Sequence, residues 1–493
     1  MAENEKNTFI EMEHEILKFW EENKCFEKLM KKNEGNEPFR FIDGPITANN
    51  PMGIHHAWGR TLKDTFIRYK MKRGYSCRCQ NGFDAQGLWV EVEVEKELGF
   101  KTKKDIEAYG MDKFTRQCVD RVKKFSSIIT EQSKRLGQWM DWDNSYYTHT
   151  DKNIEGIWHF LKVCNEKGMI EREYRPMPWC PRCGTSLSEH EMTGSYKMLT
   201  HNSVFFKLPL KEIPSKILAW TTTPWTLSSN VALAVNPEID YAEVRVKSDD
   251  QTLFLAKNAI SRLGDDKLEV LRVVKGSELV GLHYETCFPE LEAQKDVEHK
   301  VVAWDEVAAD EGTGIVHIAP GCGIEDYELG LKLGLPQIMP VDDMGIFLSG
   351  FGFMSGKECH EVASEIFDRL KADGKLYKVE PYEHSYPVCW RCKQEIIFRL
   401  VPAWYIRTED IKPELIKAAQ SVKWEPEANG KRMVDWLQNM GDWNISRKRY
   451  YGLPLPFYPC ECGHITVIGN RKELRERSVN PEVVDSLPEL HRP

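Results

Sequence analysis

Two adjacent histidines close the segment Pro45-Ile46-Thr47-Ala48-Asn49-Asn50-Pro51-Met52-Gly53-Ile54-His55-His56. The apolar run at 39–42 predicts a strand before it, and residues 57–69 repeat apolar side chains near helical spacing after it. A helix that opens there presents free N–H groups and a partial positive charge, which suit a phosphate. His55 and His56 would add donors; the bland alternative is an ordinary loop with two solvated imidazoles. A second cluster, Trp220-Thr221-Thr222-Thr223-Pro224-Trp225-Thr226 with Asn230 behind it, concentrates hydroxyls. Downstream, a Gly-rich stretch from Gly312 to Tyr327 holds His317 and Asp326. Such a frame can take an aminoacyl ester, with a carboxylate for the ammonium and hydroxyls or N–H groups to orient water. Thr-rich strands also serve structure alone.

The third cluster is built of thiols. Cys180-Pro181-Arg182-Cys183 and Cys389-Trp390-Arg391-Cys392 are both C-x-x-C knuckles with Arg at the third position. Two such hairpins supply four thiolates to one tetrahedral zinc. In a reducing compartment metal binding is favoured over disulfides, and two unrelated buried pairs are the other reading. Their separation requires an inserted domain that leaves and returns to one point. Cys460-Glu461-Cys462-Gly463 looks like half of a further site, whereas Cys77, Cys79 and Cys118 read as core or surface thiols.

These groups need elements to hold them. The chain has 493 residues and a formal charge of -9, enough for several domains and large cores. The N-terminus lacks a signal-peptide core and no apolar run reaches membrane-spanning length, so a soluble, cytoplasmic protein is expected. Net acidity argues against a coat of basic surface. Lys101, Lys103, Lys104, Arg121, Lys123 and Lys124 are read first as a solvated helix face and second as a basic groove. Residues 39–180 alternate short apolar runs with amphipathic ones, the texture of a parallel α/β fold. From Ser203 the runs at 204–208, 217–220, 241–246 and 252–255 are strand-like, predicting a β-rich barrel to about residue 385. Helical texture returns after Trp404.

Together the segments resemble the class I aminoacyl-tRNA synthetases, most closely the isoleucyl group, over essentially the whole chain. The anchors are residues 45–64, Asn81-Gly82-Phe83-Asp84-Ala85-Gln86-Gly87-Leu88, the Thr-rich and Gly321–Tyr327 segments, both cysteine knuckles with their flanks, and Trp443-Asn444-Ile445-Ser446-Arg447-Lys448-Arg449-Tyr450-Tyr451-Gly452. The C-W-R-C knuckle leans isoleucyl over valyl. The resemblance implies an α/β, Rossmann-type catalytic domain interrupted by an inserted β-barrel-rich editing domain and zinc-knuckle segments. Its implied boundaries are a helical segment at 1–38 and a first catalytic part at 39–180 with the start of the insertion. A knuckle follows at 181–200, then the editing domain at 201–385, a second knuckle at 386–400 and an incomplete return to the catalytic domain at 401–493.

The implied reaction joins L-isoleucine to ATP with Mg2+ and passes the acyl group to tRNA(Ile), with hydrolysis of valyl-tRNA(Ile) as correction. The resemblance puts Gly53, His55 and His56 in the adenylate-forming signature, with His56 on ATP phosphate. It puts Gly44, Pro45, Asp84 and Gln86 around the amino acid, Asp84 pairing with its ammonium. Thr222, Thr223, Thr226, Asn230, His317 and Asp326 fall in the editing pocket: Asp326 anchors the amino group and His317 makes the pocket too tight for isoleucine. Cys180, Cys183, Cys389 and Cys392 fall on Zn2+.

Departures from the family pattern are informative. The signature's first and third positions are exchanged, giving Gly53 and His55 where the usual order is His and Gly, as in a G-x-H-H subtype. Cys322 stands where a His is usual, and Gln86, Trp89, Lys448 and Tyr451 replace common residues. The second signature, K-M-S-K-S, does not occur; Met354-Ser355-Gly356-Lys357 lies in the wrong region. The expectation is therefore an N-terminal portion that does not activate isoleucine alone. Two rival readings are a free-standing hydrolase of valyl-tRNA and a partner that works with a second chain carrying the other half.

Overall fold

A computed structural model describes residues 8–264 and 267–491. The ends of the expected segments at 1–38 and 401–493 thus lie partly outside the described residues. The chain divides into two compact units: residues 1–170, 406–442 and 449–493, and residues 171–405 and 443–448. No described helix is long and apolar enough to cross a membrane.

The first unit rests on parallel pairing. After helices α1 (Thr8–Glu22) and α2 (Cys25–Lys32) come β1 (Pro38–Arg40), β2 (Ile46–Thr47), α3 (Ile54–Lys72), β3 (Ser76–Arg78) and β4 (Gln80–Asp84). Then α4 (Leu88–Leu98), α5 (Lys103–Tyr109) and α6 (Met111–Arg135) lead to β5 (Asp141–Tyr147) and α7 (Asp151–Glu166). Strands β2, β4 and β5 form one parallel sheet in that order, and β1 pairs in parallel with β3 in another. The strand expected at 39–42 starts one residue earlier and stops two earlier: β1 ends at Arg40, and Ile42 is 93% exposed.

Helix α6 organises this unit. Phe114, Cys118, Val122, Phe125 and Ile129 recur every three or four residues and are buried on one face. Most of that face packs with Ala48 of the loop after β2, Phe83 of β4 and Val90 and Val94 of α4. Helix α4 itself reads Leu-Trp-Val-Glu-Val-Glu-Val-Glu, an alternation that by itself spells a strand. It is a helix because Val90 and Val94 share one face and reach the core, while Glu91 and Glu95 share another and receive Lys103 at 2.6 and 2.8 Å. Lys103 is consequently half-buried and Arg121 buried, both in ion pairs, which corrects the solvated face expected for them.

The second unit is mostly one mixed sheet. Its chain runs through β6 (Ile170–Cys180), β7 (Thr185–Ser186), β8 (Tyr196–Pro209), β9 (Lys216–Thr221), β10 (Ala232–Val235), β11 (Asp240–Val246), β12 (Thr252–Ala256) and β13 (Leu268–Lys275). It continues through β14 (Lys300–Ala303), β15 (Val316–Ile318), α8 (Ile324–Leu333), α9 (Ala363–Ala372), β16 (Leu376–Pro387) and β17 (Ile397–Ile406). The strand path is β13-β11-β12-β9-β15-β10-β14, with β8 bridging β9 to β16. Residues 281–285 join the ends of part of this path: His283 bridges Lys300 of β14 and Tyr284 bridges Leu210 just past β8, so β8, β9, β15, β10 and β14 return on themselves, with β12, β11 and β13 extending from β9. All four apolar runs named above fall on strands, in β8, β9, β11 and β12. Residues 203–208 of β8 are buried without alternation because the core covers both faces there.

One close approach decides the shape of the loop after β15. A Cβ on Gly321 would lie 1.8 Å from the Ile338 carbonyl oxygen, which is backbone and cannot swing away. Gly321→Ala is expected to lower unfolding stability of this unit by about 3 kcal/mol. Denaturant titration with a probe in residues 171–405 checks it.

Candidate functional site

The first site grows from the β2–α3 loop and the end of β4. Gly53 caps α3, and its N–H donates to His56 Nδ1 at 3.2 Å. That bond leaves the proton of neutral His56 on Nε2, so the imidazole faces a ligand as a donor. Burial, then His55 and Arg60, lowers the His56 pKa and favours this neutral form. The ring of His55 lies 3.8 Å from that of His56, centroid to centroid. A Cβ at position 53 would meet the His55 ring at 3.0 Å, so Gly53 makes room for the imidazole two residues on. The exchanged order thus keeps two imidazoles over the helix opening.

Asp84 ends β4 beside Thr47. Its carboxylate accepts from Thr47 Oγ1 at 3.2 Å and Thr148 Oγ1 at 3.5 Å. Burial raises its pKa, and the two hydroxyls, the Gln86 N–H and the Arg449 charge pull against that rise. The carboxylate is therefore held in place by two hydroxyls, an arrangement suited to an ammonium. Gln86 keeps a buried amide oxygen with no hydrogen-bond partner among the described residues. Pro45 is half-buried, and Gly44 is exposed with open space where a side chain would be.

The second site is a cavity of about 390 Å³ in the second unit, lined among others by Thr222, Thr223, Thr226, His317, Cys322 and Asp326. His317 on β15 is buried, 8% exposed at the cavity wall; its Nε2 meets Thr226 Oγ1 at 2.9 Å. Burial drives its pKa down to about 4, so it is neutral at physiological pH. Asp326, in the first turn of α8, accepts the Ala319 N–H at 2.7 Å. Its pKa is pushed up to about 6, chiefly by burial. Asn230 does not line the cavity. It stands behind His317, accepting from Tyr284 OH at 2.8 Å and donating to the Ala232 carbonyl at 2.9 Å. Burial likewise keeps Cys322 a thiol.

The third site gathers Cys180, Cys183, Cys389 and Cys392, whose sulfurs all lie within 4.8 Å of one another. Cys180 and Cys392 are 3.4 Å apart, and Cys183 and Cys389 4.0 Å. Thiolates about 2.3 Å from a tetrahedral zinc stand about 3.8 Å apart, so the donor set fits. The two knuckles repeat one turn. Gly184 N–H donates to the Cys180 carbonyl and Lys393 N–H to that of Cys389, each at 2.8 Å, at φ +58° and +64°. The thiols of Cys180 and Cys183 draw Cys389 toward thiolate and lower Cys392 to about 7. Cys460 and Cys462 are exposed at a hairpin.

A family model described as tRNA synthetases class I (I, L, M and V) matches residues 15–488. The chain belongs to the class I tRNA synthetases. An isoleucine–tRNA ligase of Methanocaldococcus jannaschii is 39% identical over 512 residues, covering 100% of this chain and 49% of that protein. Those of Clostridium novyi and Thermococcus kodakarensis are each 40% identical, covering 98% and 96% of this chain and 46% of each relative. The synthetase chain thus spans about half the length of the curated relatives it matches.

Sequence reasoning missed the residues that hold these groups. Thr148, Arg121 and Gln132 are remote in sequence from what they bind, and Tyr284 is 54 residues from Asn230. No local signal marked them: Arg121 lies in a charged run and Gln132 in a polar one. In this synthetase, Gly53→Ala is expected to displace the His55 ring and cost about 1–2 kcal/mol. Thermal unfolding checks the cost, and the histidine ring resonances in NMR check the displacement.

Proposed function

We propose that the chain carries the isoleucine-activating and valine-correcting sites of an isoleucyl-tRNA synthetase. In the first unit MgATP would lie over the opening of α3, with His56 Nε2–H and the helix N-terminus on phosphate oxygens. Asp84 would hold the isoleucine ammonium, and Pro45 and Gln86 would border the side chain. The protein's part in this step is alignment and charge stabilisation for carboxylate attack on the α-phosphate. Neutral His56 suits it, since the ring donates without competing for a proton.

In the second unit valyl-tRNA(Ile) would place its terminal ester in the cavity. Ionised Asp326 would take the valyl ammonium, Thr222, Thr223 and Thr226 would orient the attacking water, and His317 would bound the aliphatic end. The observation that carries the reading is this pairing of a half-buried carboxylate and a neutral, buried histidine in one small cavity. A second site answers a physical limit: one methylene is worth only about 1–3 kcal/mol in an apolar pocket, a figure known for isoleucine against valine themselves and not obtained from this geometry.

The four-cysteine cluster would hold Zn2+, which would close the knuckles and supply no chemistry to either reaction. The rival readings, a free-standing hydrolase or a partner of a second chain, use the same cavity and differ only in whether activation accompanies it.

Preformed valyl-tRNA(Ile) is expected to be deacylated, with isoleucyl-tRNA(Ile) spared. Asp326→Asn should slow this about 10–100-fold, the worth of one charge-assisted hydrogen bond. Because Asp326 must be ionised and its pKa is about 6, the rate should fall as pH drops below that value. Equal rates for both esters would overturn the reading. Chelation should release close to one zinc per chain, with Cys180→Ser and Cys389→Ser losing it, as read by metal analysis.

A further inference from the structure

The β2–α3 loop has no backbone ladder of its own between Thr47 and Ile54, yet its polar groups are held at fixed points. The Ala48 N–H still donates to the Asp84 carbonyl of β4 at 3.0 Å; beyond it, residues 49–52 are held from α6. Arg121 Nε donates to the Asn49 carbonyl at 2.9 Å, and its Nη2 donates to Asn50 Oδ1 at 2.9 Å. The Met52 N–H donates to Gln132 Oε1 at 2.8 Å. Eleven residues separate Arg121 from Gln132, three helical turns, so both side chains lie along one face. Between them Val122 and Ile129 take Ala48 into the core.

The same device reaches one turn further. Asp64 of α3 accepts the Trp139 N–H at 3.0 Å, and Arg68, bound to Asp64 at 2.7 Å, donates to the Gly137 carbonyl. Residues 137 and 139 belong to the connection that leaves α6. Arg121 itself is nearly enclosed, 8% exposed, and its charge is met by Glu97 and, at 3.5 Å, by Glu93. An arginine so neutralised has no charge to spare for a ligand; its remaining work is geometric. Its planar fork spans two successive loop residues, which a lysine cannot do.

We propose that Arg121 and Gln132 are positioning residues for nucleotide binding: they clamp residues 49–52 and so aim Gly53, His56 and the opening of α3 at the phosphates. This rests on the reading of that opening as the ATP site. It assigns a role to α6 that goes beyond core packing. It also accounts for how a loop with Gly53 and His55 exchanged keeps one shape.

The test uses the unaltered chain and Arg121→Lys, Gln132→Ala and Gln132→Glu, the last keeping an acceptor for the Met52 N–H. MgATP affinity is measured by equilibrium dialysis, and amide hydrogen exchange is followed for residues 45–56 and, as a control, for α7. Gln132→Ala and Arg121→Lys are each expected to weaken MgATP about tenfold, the worth of a hydrogen bond to an otherwise buried group. Exchange should quicken at 45–56 and stay unchanged in α7, and Gln132→Glu should restore affinity to within about threefold. Quickened exchange with unchanged affinity would make the pair merely structural and overturn the proposal. Unchanged exchange in both Arg121→Lys and Gln132→Ala would overturn the clamp itself. An unaltered chain that binds no MgATP would instead sink the nucleotide reading, and with it any positioning role.

Discussion

Glu91 is the group on which the first unit turns. It is completely enclosed, yet it is a carboxylate, so every oxygen lone pair needs a donor. Lys103 meets Oε2 at 2.6 Å, and the Tyr451 N–H meets Oε1 at 2.6 Å. The second bond spans 360 residues of sequence. It brings the returning chain against the turn after Asp84, where Gly87 N–H donates to the Tyr451 carbonyl at 2.9 Å. Removing one partner of such a pair leaves a buried charge, at a cost of about 3–5 kcal/mol. The turn that carries Asp84 and Gln86 is therefore set from both sides of the chain's long excursion.

Both candidate sites treat charge in the same way. Asp84 and Asp326 are carboxylates made more basic by burial, and His56 and His317 are imidazoles made less basic by it. Each pair stores unfavourable desolvation that a ligand of the right charge relieves. An ammonium beside either carboxylate favours its ionised form, and a neutral histidine donates without carrying a charge into the cavity. Asn230, Tyr284, Gln294 and His299 form the polar network behind His317, where His299 Nε2 meets Gln294 Oε1 at 2.8 Å. That network fixes the ring without touching the cavity.

Local features were legible in the sequence. The strand–loop–helix around His55 and His56, the four β-runs, the two cysteine knuckles and the Thr-rich segment all follow from spacing within a few residues. What stayed hidden depends on partners far along the chain. Gln132 sits in Thr-Glu-Gln-Ser-Lys, a stretch that looks like a solvated helix face, and Arg121 in a run of basic residues that looks the same. Nothing local says that the loop at 49–52 lies against them. The alternation in α4 misleads for a related reason: period-two spacing marks a strand only when one face is buried, and here two faces of a helix are buried, one apolar and one ionic. Asn230 was legible as important but not as lying one layer back, because sequence proximity to Thr226 does not separate wall from support.

The ribbon of β8 and β16 has a consequence of another kind. Tyr196 pairs with Pro387 and Phe206 with Leu376, so the first and last residues of a stretch of nearly two hundred are neighbours all along the ribbon. The thiol cluster lies just beyond its open end in sequence, joining Cys183 to Cys389 across 206 residues. Material that enters and leaves through one doorway can be gained, exchanged or lost without lengthening any path in the host. A change in the length of residues 206–376 therefore need not disturb the register of β8 against β16.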